Sequence, residues 1–189
     1  MRELVLFNEN FKKIDGPYFS NYGGKNYSDS YINYTTNPRQ VIRELVYNHI
    51  IPETLLDIGC ASGEVVRDFR SLGVDAYGIE NNKDILKNCV AKDFCSFGDM
   101  RDLSHIPDSS FEVIYCNALM YAFPSEVLDI LRSFRRIASK AVYHCCPYLE
   151  STADISNDKY RVFLAKKTWW DKQFKEADFI KVSDSIYSV

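Results

Sequence analysis

The chain has 189 residues, of which 46% are hydrophobic and 26% charged, and its formal net charge is −3. This composition is that of a globular protein with one apolar core, so we expect a single domain over residues 1–189. The negative balance argues against a surface that binds nucleic-acid phosphates, because such surfaces are normally basic.

Neither a membrane segment nor a metal site is expected. No apolar stretch is long enough to span a bilayer, and the first residues do not resemble a secretion signal. The six cysteines form no C-x-x-C pair, and no histidine stands at zinc-finger spacing. We therefore expect reduced thiols and a cytoplasmic protein.

The first predicted element follows a segment rich in Tyr, Asn, Ser and Gly, so we divide the chain into an N-terminal arm (1–37) and a core (38–189). Pro38 begins a helix at a position where its missing N–H is not needed. Apolar runs then predict strands at 54–58, 74–79, 94–97, 111–116, 140–146 and 179–183. Helical spacing and capping residues predict helices at 63–72, 82–91, 125–137 and 168–177. Residues 147–167 show no clear element, and we expect them to cover an acceptor pocket.

This alternation predicts an α/β fold with a mostly parallel sheet of six or seven strands and helices on both faces. The chain ends soon after the sixth predicted strand, so we expect the seventh to be short or missing. A missing strand would leave one side open or covered by a second subunit, which makes a homodimer one expectation. Ligands of such sheets bind beyond the carboxyl ends of the strands.

The turn after the first predicted strand is the main candidate site, within Leu55-Leu-Asp-Ile-Gly-Cys-Ala-Ser-Gly-Glu64. Its small residues let a ligand approach the backbone, and the next helix offers free N–H groups to a carboxylate. Glu80 ends the second strand, where an acid can accept hydrogen bonds from ribose hydroxyls. Ala61 and Glu64 occupy glycine positions of the dinucleotide fingerprint, and Glu64 would repel a pyrophosphate. Asp57 can instead help hold the ammonium of a ligand with an amino-acid end.

These motifs resemble, over about residues 20–183, those of the class I S-adenosylmethionine-dependent methyltransferases. Residues 55–63 match the glycine-rich first motif of that family, with Ala61 where many members have Gly, and Glu80 matches its ribose-binding acid. The resemblance implies a Rossmann-like fold, S-adenosylmethionine (SAM) as cofactor, S-adenosylhomocysteine (SAH) as product, and a methyltransferase activity.

Two later motifs extend the resemblance. The run 111–121 is similar to the fourth-strand motif, and 169–179 resembles the pattern W-x-x-x-F-x-x-A-G-F, with Asp178 where Gly is usual. Gly98-Asp99-Met100 looks like the adenine-binding segment, in which Asp99 would take the exocyclic amine and Met100 would pack on the ring. The complete set of expected cofactor-binding residues is Asp57, Gly59, Cys60, Ala61, Gly63, Glu80, Asn81, Asp99, Met100, Asn117 and Tyr27.

Cys60 is expected to act as a small turn residue. The resemblance places Asn117 near the methionine moiety and Tyr27 near the cofactor carboxylate, as part of an arm that folds over the cofactor. The alternative for the arm is packing on the outside of the sheet. If it folds over the cofactor, its other tyrosines can line the acceptor site.

Methyl transfer depends mainly on placement, because the protein must hold an acceptor oxygen or nitrogen ~3 Å behind the methyl group and exclude water. If a base is needed, His144 and Tyr121 are the candidates. The acidic balance and the arm favour a small-molecule or saccharide-type acceptor. Two alternatives stay open: an RNA or protein methyltransferase, which predicts a basic stripe, and a non-catalytic module that binds SAM or SAH.

Overall fold

The structure is a computed structural model that describes residues 5–7, 37–150 and 161–189. Within these residues, helices and strands follow one another as β1 (Val5–Phe7), α1 (Pro38–Tyr47), β2 (Thr54–Ile58), α2 (Glu64–Ser71), β3 (Asp75–Glu80), α3 (Lys83–Leu86), β4 (Cys95–Phe97), β5 (Phe111–Cys116), α4 (Pro124–Ile137), β6 (Ala138–His144), β7 (Phe163–Ala165), α5 (Lys167–Glu176), β8 (Ile180–Lys181) and β9 (Ile186–Ser188). Short 3₁₀ turns cover Lys92–Phe94 and Leu119–Tyr121.

The main sheet has seven strands and is mostly parallel: residues 54–97 contribute β4-β3-β2 in this order, and residues 111–188 contribute β5-β6-β9-β8. This confirms the α/β fold expected from the alternation of strands and helices. The chain clusters into two compact units, residues 14–102 and residues 1–13 with 103–189. None of the helices in the described part of the chain is long and apolar enough to cross a membrane.

In the unit 14–102, β2 pairs in parallel with β3, and β3 pairs in parallel with β4. Helix α1 begins at Pro38, as expected, and Asn37 caps it by accepting a hydrogen bond from the N–H of Arg39 at 2.9 Å. Helix α2 is amphipathic and buries the side chains of Val65, Val66 and Phe69. The apolar spacing of the sequence therefore predicts which faces of these helices are buried.

The predicted helix at 82–91 is wrong in length, because α3 ends at Leu86. Its start is as expected, since the Asn82 side chain accepts hydrogen bonds from the N–H groups of Asp84 and Ile85. Beyond Leu86 the chain turns, and the N–H of Val90 donates to the Ser62 carbonyl at 2.9 Å. A continuous helix would commit that N–H to its own ladder and lose this link.

In the unit that contains residues 103–189, β5 pairs in parallel with β6. The last predicted strand, 179–183, is reduced to β8, and a further strand, β9, runs antiparallel between β6 and β8. The seventh strand is thus present and short. Its position is not evident from the sequence, because a three-residue strand carries little periodic signal.

A second sheet joins β1 to β7 in antiparallel register, with Val5 opposite Ala165 and Phe7 opposite Phe163. Residues 147–167 therefore contain a strand, which the sequence analysis did not predict. Val5–Phe7, which the sequence analysis included in the N-terminal arm, form the other strand of this sheet. Residues 8–36, with Tyr27, and residues 151–160 lie outside the described part of the chain.

Candidate functional site

Strand register brings three segments of the unit 14–102 to one edge of its sheet. Ile58 lies opposite Ile79, so the turn that follows β2 lies beside Glu80, the last residue of β3. Glu80 in turn lies opposite Phe97, so Gly98 and the residues after it leave β4 at the same edge. These carboxyl ends of parallel strands are the place where α/β sheets bind ligands.

The turn between β2 and α2 is built from residues in the left-handed region. Gly59 and Gly63 both have φ of 80°, and Ala61 has φ of 50°. A Cβ on Gly63 would lie 2.5 Å from the Sγ of Cys89, so a larger residue there would displace that sulfur. Ala61 has a Cβ and carries strain of about 1–2 kcal/mol in this conformation. The strain requires a compensating contact.

Glu80 provides that contact. Its Oε2 accepts a hydrogen bond from the N–H of Ala61 at 3.1 Å, and its Oε1 accepts one from the N–H of Asn82 at 2.9 Å. The side chain is 6% exposed. Burial raises the pKa of the Glu80 carboxyl, while the hydrogen bonds from the backbone N–H groups oppose the shift. Glu80 thus fixes the turn as well as ending β3, a role that sequence analysis did not assign.

Asp57 is the second buried acid of this edge. Its side chain is 1% exposed, and its Oδ2 has no hydrogen-bond partner among the described residues. Burial raises the pKa of the Asp57 carboxyl well above its usual value, and the nearby Cys95 and Glu80 raise it further. A buried acceptor without a donor is costly in free energy. A ligand ammonium would satisfy this oxygen.

The other predicted cofactor residues of this unit lie at the same edge. Asp99 is half-buried, and its Oδ1 accepts hydrogen bonds from the Arg101 N–H at 2.9 Å and from the Arg101 guanidinium at 3.2 Å. Met100 is buried and Asn81 is exposed. Cys60 is buried, its N–H donates to the Ile79 carbonyl at 3.0 Å, and its thiol faces Gly78. Cys60 therefore contacts the sheet with both groups.

Asn117, Tyr121 and His144 belong to the other unit. Cys116 lies opposite His144 in the β5–β6 register, so Asn117 and His144 share the carboxyl edge of these strands. The Oδ1 of Asn117 is buried and has no hydrogen-bond partner in the described part of the chain. Tyr121 ends a 3₁₀ turn and is half-buried.

His144 is completely buried, and neither ring nitrogen has a hydrogen-bond partner among residues 5–7, 37–150 and 161–189. Its ring centroid lies 4.6 Å from that of Trp170 and 5.3 Å from that of Phe174. Burial lowers the pKa of His144 to about 3, although the charge of Asp171 opposes this shift. These surroundings favour a neutral histidine in an aromatic core, and its assignment as a base stays a prediction.

The part of the chain that the structure describes contains no group of three or more His, Cys, Asp or Glu side chains that could hold a metal ion. Its chemistry at the strand edge consists instead of two buried carboxylates and a turn of backbone groups. This is the donor set for an organic ligand with hydroxyl and ammonium groups.

Residues 35–148, more than half of the chain, match the family described as "Methionine biosynthesis protein MetW". The chain belongs to this family. No match to a curated protein sequence is found for this MetW-family chain.

The fold of the MetW-family chain is similar to that of solved methyltransferases. A SAM-dependent methyltransferase from Archaeoglobus fulgidus has a TM-score of 0.67 and 17% identity, over 83% of this chain and 76% of that one. SAM-bound CalS10, an amino pentose methyltransferase from Micromonospora echinaspora, has a TM-score of 0.56 and 18% identity, over 68% and 59%.

A third similar structure is the complex of the Haloferax volcanii Trm112 methyltransferase activator with a methyltransferase, with a TM-score of 0.59 and 21% identity. The alignment covers 69% of this chain and 63% of that chain, so the MetW-family chain spans less than two thirds of it. Together these structures confirm the predicted Rossmann-like fold of the class I methyltransferases.

Proposed function

We propose that this chain binds SAM at the edge formed by the β2–α2 turn, Glu80 and residues 98–100, and transfers its methyl group to a small-molecule acceptor. The observation that carries the proposal is the buried Asp57 carboxylate, which has an unpartnered oxygen beside a turn that another buried carboxylate holds in a strained conformation. A protein keeps such features where they serve a ligand.

Asp57 suits the amino-acid end of the cofactor. An ammonium group would donate a charge-assisted hydrogen bond to Oδ2, directly or through water, and would favour the ionised carboxyl. The turn leads into α2, whose first N–H groups are suited to an anionic group. One end of the ligand therefore meets both an acid and a helix start.

Glu80 suits the ribose. Two of its lone-pair positions accept the N–H groups of Ala61 and Asn82, which fixes the orientation of the carboxylate. A carboxylate has further acceptor positions on both oxygens, and these can take the two ribose hydroxyls. Asp99 and Met100 leave β4 beside this point and are assigned to the adenine. Asn117 and Tyr27 keep the roles that the resemblance gives them.

When bound, SAM supplies a methyl group on a sulfonium, which is already an activated leaving group. The protein has to orient the acceptor atom and exclude water. Of the two predicted bases, Tyr121 is half-buried and is therefore the more accessible to an acceptor. The completely buried His144 would need to become exposed first.

A small-molecule acceptor agrees with the charge distribution of the unit 14–102. Arg67, Arg70, Lys87 and Arg101 each form an ion pair with an acid of the same unit. Paired basic residues are less available to the phosphates of RNA. The similar CalS10 is an amino pentose methyltransferase. A macromolecular acceptor and a non-catalytic SAH-binding module are the alternatives.

Calorimetry with SAH tests the cofactor site. Wild-type protein is expected to bind SAH, and Glu80→Ala to bind it at least tenfold more weakly, a loss of about 1.4 kcal/mol or more. Glu80→Gln separates the charge of the side chain from its packing. Asp93→Asn, which removes one charge from an exposed site in the same unit, is the matched control. Equal affinity in Glu80→Ala and Asp93→Asn would contradict the proposal.

Methyl transfer from labelled SAM into fractionated cell extract tests the acceptor class. Label in the small-metabolite fraction supports the proposal, whereas label in RNA or protein supports the macromolecular alternative. SAH binding without transfer in any fraction would leave the binding module as the function.

A further inference from the structure

Three of the six cysteines, Cys60, Cys89 and Cys95, pack against the glycines of the candidate turn and of strand β3. A Cβ on Gly63 would lie 2.5 Å from the Sγ of Cys89 and 3.2 Å from the Sγ of Cys95, so both sulfurs converge on one point. A Cβ on Gly78 would lie 2.6 Å from the Sγ of Cys60. The thiol of Cys95 interacts with those of both Cys60 and Cys89. We call these three residues the thiol cluster.

The members of the thiol cluster differ in their access to solvent. Cys95 is half-buried and begins β4, the edge strand of the sheet, whereas Cys89 is 9% exposed and Cys60 is fully buried. The neighbouring thiols also lower the pKa of Cys95, while burial raises that of Cys89 to about 11. Cys95 is therefore the thiol that a small reagent reaches first and the one with most thiolate.

We propose that Cys95 is a peroxide-modification site, and that Cys89 resolves it as a Cys89–Cys95 disulfide. In the first step the Cys95 thiolate attacks a peroxide oxygen, the O–O bond breaks, and sulfenic acid and one water form after proton transfer. In the second step the Cys89 sulfur attacks the Cys95 sulfur, and the S–OH bond breaks. The departing hydroxide takes the Cys89 proton as water. Two thiols are oxidised and one hydrogen peroxide is reduced to two waters.

The disulfide acts on the candidate site through the backbone. The N–H of Val90, next to Cys89, donates to the carbonyl of Ser62 in the turn at 2.9 Å. Moving Cys89 toward Cys95 changes the packing of both side chains against Gly63, where they are already in close contact with the backbone. The oxidised protein is expected to bind SAH about tenfold more weakly, a consequence that rests on the proposed function, whereas the disulfide itself does not.

Peptide mapping after hydrogen peroxide treatment of the reduced full chain tests the proposal. The wild type is expected to lose two hydrogens per molecule and to yield a cross-linked peptide pair that contains Cys89 and Cys95. Cys89→Ser is expected to accumulate sulfenic acid at Cys95, which dimedone traps, and Cys95→Ser to form no cross-link. Far-UV circular dichroism checks that both variants are folded.

Two variants serve as controls. Cys145→Ser changes a half-buried cysteine of the other unit, and Cys60→Ala removes the fully buried member of the thiol cluster. The Cys89–Cys95 cross-link is expected in both. A Cys60–Cys95 cross-link in the wild type, or Cys95 oxidation no faster than that of Cys145, would overturn the proposal. If the cross-link forms but reduced protein binds no SAH, the proposed function fails and the modification site stands.

Discussion

Asp57 and His144 pose the same physical problem in two different surroundings. Both are ionisable side chains that are completely or almost completely buried. Both also have polar atoms without a hydrogen-bond partner among the described residues, namely the Oδ2 of Asp57 and the two ring nitrogens of His144. Asp57 lies at a strand end beside a glycine turn and a second buried acid. His144 lies among the rings of Trp170, Phe174 and Tyr187.

This difference separates a buried polar group that can bind a ligand from one that belongs to the core. Around Asp57, an unpartnered buried oxygen, a second buried acid and a strained left-handed turn lie close together. Each of these is unfavourable in free energy, and a bound ligand can offset the cost. Around His144, aromatic rings make dispersion contacts, and no group in the described part of the chain hydrogen-bonds to the imidazole, so the histidine stays neutral and behaves as a core residue. Burial alone therefore does not identify a site, and the chemistry of the neighbours decides.

The largest expected effect comes from the aromatic region. Trp170→Ala should lower the free energy of unfolding by about 3–5 kcal/mol, because the side chain is fully buried between Phe163 and His144. Trp169→Ala is the matched control, since this neighbouring side chain is only half-buried. Urea unfolding measures both. Equal losses in the two variants would mean that Trp170 is not at the centre of a core.

The pH dependence of stability tests the neutral state of His144. In the unfolded chain its pKa is near 6.5, whereas burial lowers it to about 3 in the folded protein. Between these two pH values, only the unfolded state binds the proton. The contribution of neutral His144 to the free energy of unfolding is therefore complete above pH 6.5 and is lost as the pH falls toward 3. When the pH is lowered from 7 to 4.5, the free energy of unfolding of His144→Phe should rise by about 2–3 kcal/mol relative to that of wild type.

His105→Gln, which changes an exposed histidine, should show no such gain. Denaturant unfolding at several pH values provides the comparison. If His144→Phe and wild type kept a constant difference over this range, His144 would have an ordinary pKa and a polar partner in the folded protein.

At Asp57 the pH dependence of stability is expected to be smaller than at His144 and opposite in sign. Its raised pKa means that the folded state retains a proton that the unfolded state releases, so stability is highest below pH ~3.9 and falls as the pH rises. Asp57→Asn removes this cost and should raise the free energy of unfolding at pH 7 by about 1–2 kcal/mol, while weakening SAH binding. A variant that is less stable and binds SAH normally would show that Asp57 serves the fold.

The sequence predicted well the features that depend on neighbouring residues. Strands β2 and β5 have the predicted bounds, since each is an apolar run that ends at a turn. The start of α3 follows from the cap by Asn82, a contact between residues adjacent in the chain. The edge that carries Glu80 follows from the general geometry of parallel sheets.

Contacts between distant residues account for what the sequence could not predict. Helix α3 stops early because Val90 reaches back to Ser62, and β7 exists because it pairs with Val5–Phe7. Likewise, nothing near His144 in the chain reveals that Trp170 and Phe174 enclose it. The spacing of residues along the chain does not reveal which distant residues come into contact. The roles of single side chains were therefore harder to predict than the strands that carry them.

A crystal structure of the chain with SAH would show whether the cofactor binds at the edge that carries Glu80. We expect a ribose hydroxyl within ~2.5–3.2 Å of the Glu80 carboxylate, with the amino group of the ligand directed to Asp57. A structure in which saturating SAH binds elsewhere, while Glu80 contacts only the N–H groups of Ala61 and Asn82, would contradict it.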